Sequence, residues 1–411
     1  MQVDHMKHKN PTPIYLDHAA TTPISSAVLE AMLPYFTEHF YNPSAMYAAA
    51  QHCRSAVDGA RKRVAGVLGC RPAEVIFTSG GTESDNAAVK GAAWALRRHG
   101  NHLITTAFEH HAVLHTCHQL EKQGFEVTYL PVDRHGLVSV ADVERAITPQ
   151  TTVISVMLAN NEIGVIQPVE EIARLAKAKA KVLGTQIVVH TDAVQAAAYL
   201  DVSVDRLGVD ALSLSAHKFN GPKGAGVLYL RRATPFEPQQ VGGSHERDHR
   251  AGTENVPGII GTAAALIIAA EERAAAVEHC TALRDRLIHG LQARIHGAHL
   301  NGHATQRLAN NVSMSFEGTD AQWTLLAMDD AGIAASPGSA CRTASLEPSH
   351  VLIAIGVPAN LAIGTVRMSL GAENTVEQID RVINVMPGII EKVRASTAQG
   401  AASAETEAPP A

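Results

Sequence analysis

Apolar positions between Val75 and Arg232 switch repeatedly between two spacings. Short Val- and Ile-rich runs, bounded by Gly, Pro or polar residues, predict strands over 74–78, 103–106, 126–130, 152–157, 186–190, 211–214 and 226–230. Helical spacing predicts helices over 82–98, 112–123, 140–147 and 169–183. Strands alternating with helices imply an α/β fold with a mainly parallel sheet covered on both faces. Ligands of such sheets sit beyond the carboxyl ends of the strands. After about residue 259 an alanine-rich helix, 260–293, gives way to shorter mixed elements. A large domain over 14–260 is therefore expected, with residues 1–13 and 261–396 forming a smaller α+β domain. Residues 397–411 lack apolar periodicity and are expected to be disordered, and the first dozen are polar and loose.

Composition narrows the function classes. With 46% apolar and 18% charged residues in 411, the chain can bury a large core, which excludes a disordered chain, a coiled coil or a small disulfide scaffold. A net charge of −6, 4% aromatics and no basic stripe argue against nucleic acid as a partner. The longest apolar run, 263–270, is short of the about 20 residues that span a bilayer. The first residues, MQVDHMKHKN, have no signal-peptide character. A soluble cytoplasmic protein, away from membranes, is the expectation. Five scattered cysteines without a CxxC pair fit free thiols in a reducing compartment.

Five segments could carry chemistry. SLSAHKFNGPKG (213–224) places Lys218 just beyond an apolar strand, beside Ser215 and His217. A lysine held there can serve as a Schiff-base lysine, although a lone turn lysine is more often merely solvated. VVHTDAVQ (188–195) ends an apolar strand on Asp192, which is either an N-cap or the partner of a buried cation. FTSGGTESDN (77–86) runs from a strand through two glycines to Thr82 at a helix start, a natural phosphate cradle that lacks the lysine of a P-loop. FEHHAVLHTCH (108–118) puts His110 between a strand and a helix. Its His111, His115 and His118 recur at helical spacing, but no carboxylate or cysteine set accompanies them and no metal is expected. ASPGSACRTASLEPSH (335–350) sets Cys341 in a small, polar, Gly/Pro-punctuated stretch, with Arg342 beside it to favour the thiolate. A small buried cysteine is the competing possibility.

Together with YLDHAATTP (15–23), YNPSAMY (41–47), NNEIGVIQP (160–168), HERDHRAGTENV (245–256) and VRMSLG (366–371), these segments closely resemble the cysteine desulfurases of the NifS and IscS type. Those are class V enzymes of aminotransferase fold type I that use pyridoxal 5'-phosphate (PLP). The resemblance implies a seven-stranded large-domain sheet and a defined set of roles. Lys218 would hold PLP covalently, Asp192 would pair with its ring nitrogen, and Gln195 would bond its ring hydroxyl. His110 would stack on the ring, and Gly81, Thr82, Ser215 and His217 would hold the phosphate. Thr253 would complete the phosphate site from the other subunit of a homodimer. Asn161 and Arg367 would bind the carboxylate of L-cysteine, and Cys341 would accept its sulfur for delivery to an acceptor protein. Selenocysteine lyase, a class V transaminase and a non-catalytic sulfur-relay subunit are the alternatives. Ser244 and Pro337 depart from the family pattern, and the tail does not resemble the segment with which IscS-type members dock their scaffold.

Overall fold

The computed structural model describes residues 13–338 and 348–406. The described chain begins at β1 (Ile14–Tyr15) and helices α1 (Ser26–Met32), α2 (Pro34–Thr37) and α3 (Ala48–Leu68). It then alternates as the apolar pattern requires: β2 (Val75–Thr78), α4 (Gly81–Leu96), β3 (His102–Thr106), α5 (His111–Glu121), β4 (Glu126–Leu130), α6 (Val140–Ala146) and β5 (Thr151–Ser155). The alternation continues through α7 (Val169–Leu183), β6 (Val188–Asp192), α8 (Val204–Leu207), β7 (Ala211–Ser215) and β8 (Gly226–Leu230).

These seven strands, β2 to β8, form one sheet in the order β2-β8-β7-β6-β5-β3-β4. Its pairs are parallel except those of β8, which runs antiparallel to both β2 and β7. Every residue of β5, β6, β7 and β8 is buried, which is why their sequences are rich in apolar residues without a solvent-facing alternation of charges. Parallel packing brings the ends of β6 and β7 and the start of α4 to the same edge of the sheet.

Helix α9 (Val256–Arg294) starts earlier than its spacing predicts, because the Asn255 side chain accepts from the Gly258 amide and Pro257 follows as the first turn begins. Ile259, Ile260 and Leu266 on its first half pack into the core of the large sheet. Leu283, Leu287 and Leu291 on its second half pack into another core. That second core lies against an antiparallel sheet of β9 (Ala298–Leu300), β10 (Asn311–Phe316), β12 (Ser336–Pro337) and β13 (Thr365–Ser369) in the order β12-β13-β10-β9. A short strand, β11 (Ile333–Ala334), pairs with β1. Ile14 and Leu16, counted with the larger domain from sequence, pack into this second core.

Helices α10 (Ala321–Asp330), α11 (His350–Ala354), α12 (Ala359–Ala362) and α13 (Val376–Thr406) complete the fold. Here one expectation is corrected. The disordered tail expected from residue 397 is helical to Thr406 as the end of α13, and 407–411 lie outside the described residues. Ala398, Ala401, Ala402 and Ala404 explain this, since alanine favours helix without needing an apolar stripe. Among the described residues, no helix is long and apolar enough to cross a membrane.

Candidate active site

A cavity of about 340 Å³ opens where β6 and β7 end and α4 begins. Of the sequence candidates, Gly81, Thr82, His110, Asn161, Asp192, Gln195, Ser215, His217, Lys218 and Arg367 all line it. Thr253 does not. It is exposed and lines a separate pocket with Ser79 and Arg250. Cys341 lies outside the described residues.

Lys218 leaves β7 on a single tight turn, Ala216–Lys218. Its Nζ donates to the carbonyls of Ala19 (2.6 Å) and Ala20 (2.7 Å). The segment that follows β1 thus forms one wall. Gln195 Nε2 also donates to the Ala19 carbonyl (2.9 Å), and the Thr22 amide and hydroxyl both donate to the His217 carbonyl (2.9 and 3.0 Å). Burial lowers His217 to about 4, with Lys218 and Lys223 adding to the effect, so its ring is neutral at pH 7.

Asp192 ends β6 and is 5% exposed. Burial raises its pKa, while His110, the Val194 amide (2.9 Å to Oδ1) and Lys218 favour the ionised form. His110 caps α5, its Nδ1 accepting from the Ala112 amide (3.1 Å). In the neutral ring that bond leaves Nε2 to carry the proton. Burial is also what lowers the His110 pKa.

Arg367 comes from the other sheet. It sits in β13, is 1% exposed, and reaches the cavity through Nη2 to Asp17 Oδ1 (2.8 Å) and Nη1 to the Asn161 carbonyl (3.1 Å). Asn161 belongs to a tight turn that Asn160 ties, its Oδ1 accepting from the amides of Glu162 (2.8 Å) and Ile163 (3.0 Å). Glu162 takes a hydrogen bond from Ser349, and burial pushes it up to about 7.

The same architecture recurs in known proteins. A family model described as Aminotransferase class-V matches residues 14–382. A protein of Methanosarcina thermophila named cysteine desulfurase IscS is 52% identical over 381 residues, covering 93% of each chain. One of Clostridium botulinum with the same name is 50% identical over 383 residues, covering 93% of this chain and 95% of its own. Among solved structures, a NifS-like protein superposes with a TM-score of 0.87 at 38% identity, covering 92% of this chain and all 100% of its own. A structure titled SspA in complex with cysteine gives 0.76 at 36% identity, covering 88% of this chain and 100% of its own. The chain belongs to the class-V aminotransferases, among the cysteine desulfurases of the IscS type.

Cysteine desulfurases use PLP, and the residues present fit it. At the start of α4, Gly80 takes a φ of +150° and no side chain caps the helix, and Gly81 and Thr82 of its first turn line the cavity. A Cβ on Gly81 would meet Val194 Cγ2 at 2.7 Å, so only glycine lets the helix end come this close to the end of β6. Bare amides and a helix dipole suit a phosphate, with Thr82, Ser215 and His217 around it. Lys218 and the buried Asp192 share the same cavity, as a carbonyl and a ring nitrogen require.

Sequence reasoning missed four residues here. Asp17 lies inside the quoted YLDHAATTP segment, and its pairing with Arg367 depends on two sheets meeting. Glu162 follows Asn161 directly. Asp85 lies one helical turn beyond Gly81, a spacing that could have placed it on the cavity side. His190 lies two residues before Asp192 in β6, on the same strand face. As for the histidine stripe, the rings of His111 and His115 stack at 4.8 Å between centroids. Yet among the described residues the group whose ligand atoms come within 4.8 Å of one another is Asp85, His110 and Asp192, inside the cavity.

Proposed function

We propose that this protein is a PLP-dependent cysteine desulfurase that moves sulfur from L-cysteine to Cys341 as a persulfide and releases L-alanine. The observation that carries it is the cavity itself. Lys218 and Asp192 meet a phosphate cradle on one side, and Arg367 waits for a carboxylate on the other. The likeness at 52% identity to an enzyme named cysteine desulfurase supports the same substrate. Bound PLP supplies the electron sink for chemistry at the substrate Cα and Cβ.

The protein's own residues do the rest. Arg367 and Asn161 fix the substrate carboxylate, an anion that competes with Asp17 for the guanidinium. Lys218 Nζ, released from the Ala19 and Ala20 carbonyls, carries the Cα proton. His110, neutral with Nε2–H available, would line the bound cofactor and could give or take a proton there. Attack on sulfur needs a thiolate. Burial pushes Cys70 and Cys117 up to about 12 and Cys280 to about 11, and Cys341, beside Arg342 in the segment that resembles the family's sulfur acceptor, is the thiol we assign.

Thr253 stands outside its own cavity, so its phosphate contact would be made in a second copy, and we read the working unit as a homodimer. The large domain would bind the cofactor and the smaller one would carry the Cys341 segment. The persulfide would then pass to an acceptor protein for iron–sulfur clusters or other thio-cofactors, in a reducing compartment such as the cytoplasm. Alanine release from L-cysteine under a reductant, with PLP, is the test. Wild type should produce alanine and Cys341→Ala should not. Full alanine production by Cys341→Ala would sink the mechanism, and a keto acid that accelerates turnover would indicate a transaminase instead.

A further inference from the structure

Asp85 is a second carboxylate inside the cofactor cavity, and none of the steps above uses it. It is 1% exposed on the second turn of α4. One ligand atom each from Asp85, Asp192 and His110 lie within 4.8 Å of one another. Asp85 Oδ1 is buried without a hydrogen-bond partner. The nearest base behind it is His190, whose Nε2 lies 3.6 Å from Oδ1. His190 cannot neutralise it. Its Nδ1 bonds Ser155 Oγ (2.9 Å), its Nε2 bonds Ser213 Oγ (2.9 Å), and burial lowers its pKa to about 3.

Two buried carboxylates this close, with one neutral imidazole behind them, cannot both carry charge at modest cost. Their surroundings decide where the one charge sits. Asp192 takes the Val194 amide and faces Lys218 and His110. Asp85 Oδ1 has no such donor, and the Ser213 hydroxyl is what favours the ionised form of its carboxyl. Burial, then the Asp192 charge and Glu109, push the Asp85 carboxyl well above the ordinary range against the lowering effect of the Ser213 hydrogen bond. We propose that Asp85 is a positioning residue: a buried carboxylic acid that stays protonated, hydrogen-bonds toward Asp192 and fixes the pair's single negative charge on Asp192. This rests on Asp192 being the partner of the PLP ring nitrogen. It makes Asp192 a lone, oriented anion at the floor of the cavity. A neutral acid in an apolar site acting as a hydrogen-bond donor is a known enzymatic device.

Difference infrared spectroscopy of the apoprotein at pH 8, wild type against Asp85→Asn, tests this without turnover. A protonated carboxylic-acid carbonyl band should be present in wild type and absent from the variant. Loss of ionised-carboxylate bands alone would overturn the proposal. PLP titration of the apoproteins provides the second readout. Asp85→Asn, which keeps a donor, should bind within about threefold of wild type. Asp85→Leu, which removes it, should bind about tenfold more weakly. Equal binding by the Leu variant, or a tenfold loss in the Asn variant, would also overturn it. Should Asp85→Leu fail to fold, the infrared band and the Asn variant still decide. Asp192→Asn separates the underlying assumption: wild-type PLP affinity there would dismiss the role of Asp192, while the infrared band would still report on Asp85.

Discussion

The two sides of the cavity are built by different means. The cofactor side comes from a single sheet: Asp192 and Ser215 end neighbouring parallel strands, Lys218 follows on the next turn, and α4 starts at the same edge. The substrate side is assembled from distant pieces. Arg367 comes from β13 of the other sheet, Asn161 from a turn after β5, and Asp17 from the segment after β1. One side is set by secondary structure and tolerates little movement. The other depends on how two cores meet, and it is where specificity can change without disturbing the cofactor.

The largest effect should follow from breaking the cofactor side at its centre. Lys218→Ala removes the group that carries the Cα proton, so turnover should fall roughly 10²–10⁴-fold or further, and the visible absorbance of lysine-bound PLP should vanish. Steady-state alanine formation and an absorption spectrum check both. Substantial turnover would transfer the role to another base.

A second test measures what burial on that side costs in stability. Glu109, beside His110, is completely enclosed and is pushed up to about 8 by that burial. Its Oε1 accepts from Thr106 Oγ1 (2.7 Å) and the Met157 amide (3.0 Å), and its Oε2 is buried without a partner. Its carbonyl also accepts from His350 Nε2 (2.9 Å), which ties it to the helix that follows the Cys341 segment. The folded protein keeps the Glu109 proton from pH 4.5 to about 8 while the unfolded chain loses it. The unfolded state then binds fewer protons, so stability falls as pH rises through that window. The loss is on the order of 5 kcal/mol. Glu109→Gln should remove that part of the slope in apoprotein unfolding. An unchanged slope would mean that Glu109 is ionised in the fold.

The substrate side should respond differently. Arg367→Ala loses a paired carboxylate contact and should lower kcat/KM about 10- to 100-fold, mainly through KM, with PLP still bound. Asp17→Asn removes the anion that competes with substrate, and KM should fall about two- to fivefold. An equal loss of PLP binding in Arg367→Ala would erase the contrast between the two sides.

What the sequence discloses follows the same division. Strand ends on one sheet are local features, so Asp192, Ser215 and Lys218 can be read from apolar runs and the polar residues that stop them. The phosphate cradle is local as well, because two glycines precede a helix. The pairing of Asp17 with Arg367 is invisible along the chain, since it joins residues 350 positions apart. Asp85 is intermediate. Its turn of helix is legible, but its closeness to Asp192 exists only because α4 packs across the edge where β6 ends. Roles for Asn161, Arg367 and Cys341 came from resemblance to a family rather than from periodicity.

The end of α13 gives the smallest expected effect, and it limits how far sequence periodicity predicts structure. The last apolar residues of this helix in the second core are Ile389, Ile390 and Val393. Beyond them the helix is sustained by alanine propensity, with no sequence pattern that would bury a face. Truncation after Thr397 should therefore change global stability by less than about 0.5 kcal/mol and leave kcat for alanine release unchanged. Chemical denaturation and the alanine assay would check this. A loss of several kcal/mol would show that the segment packs on a surface, which its composition does not suggest. A change confined to sulfur transfer to an acceptor would instead assign the tail to docking.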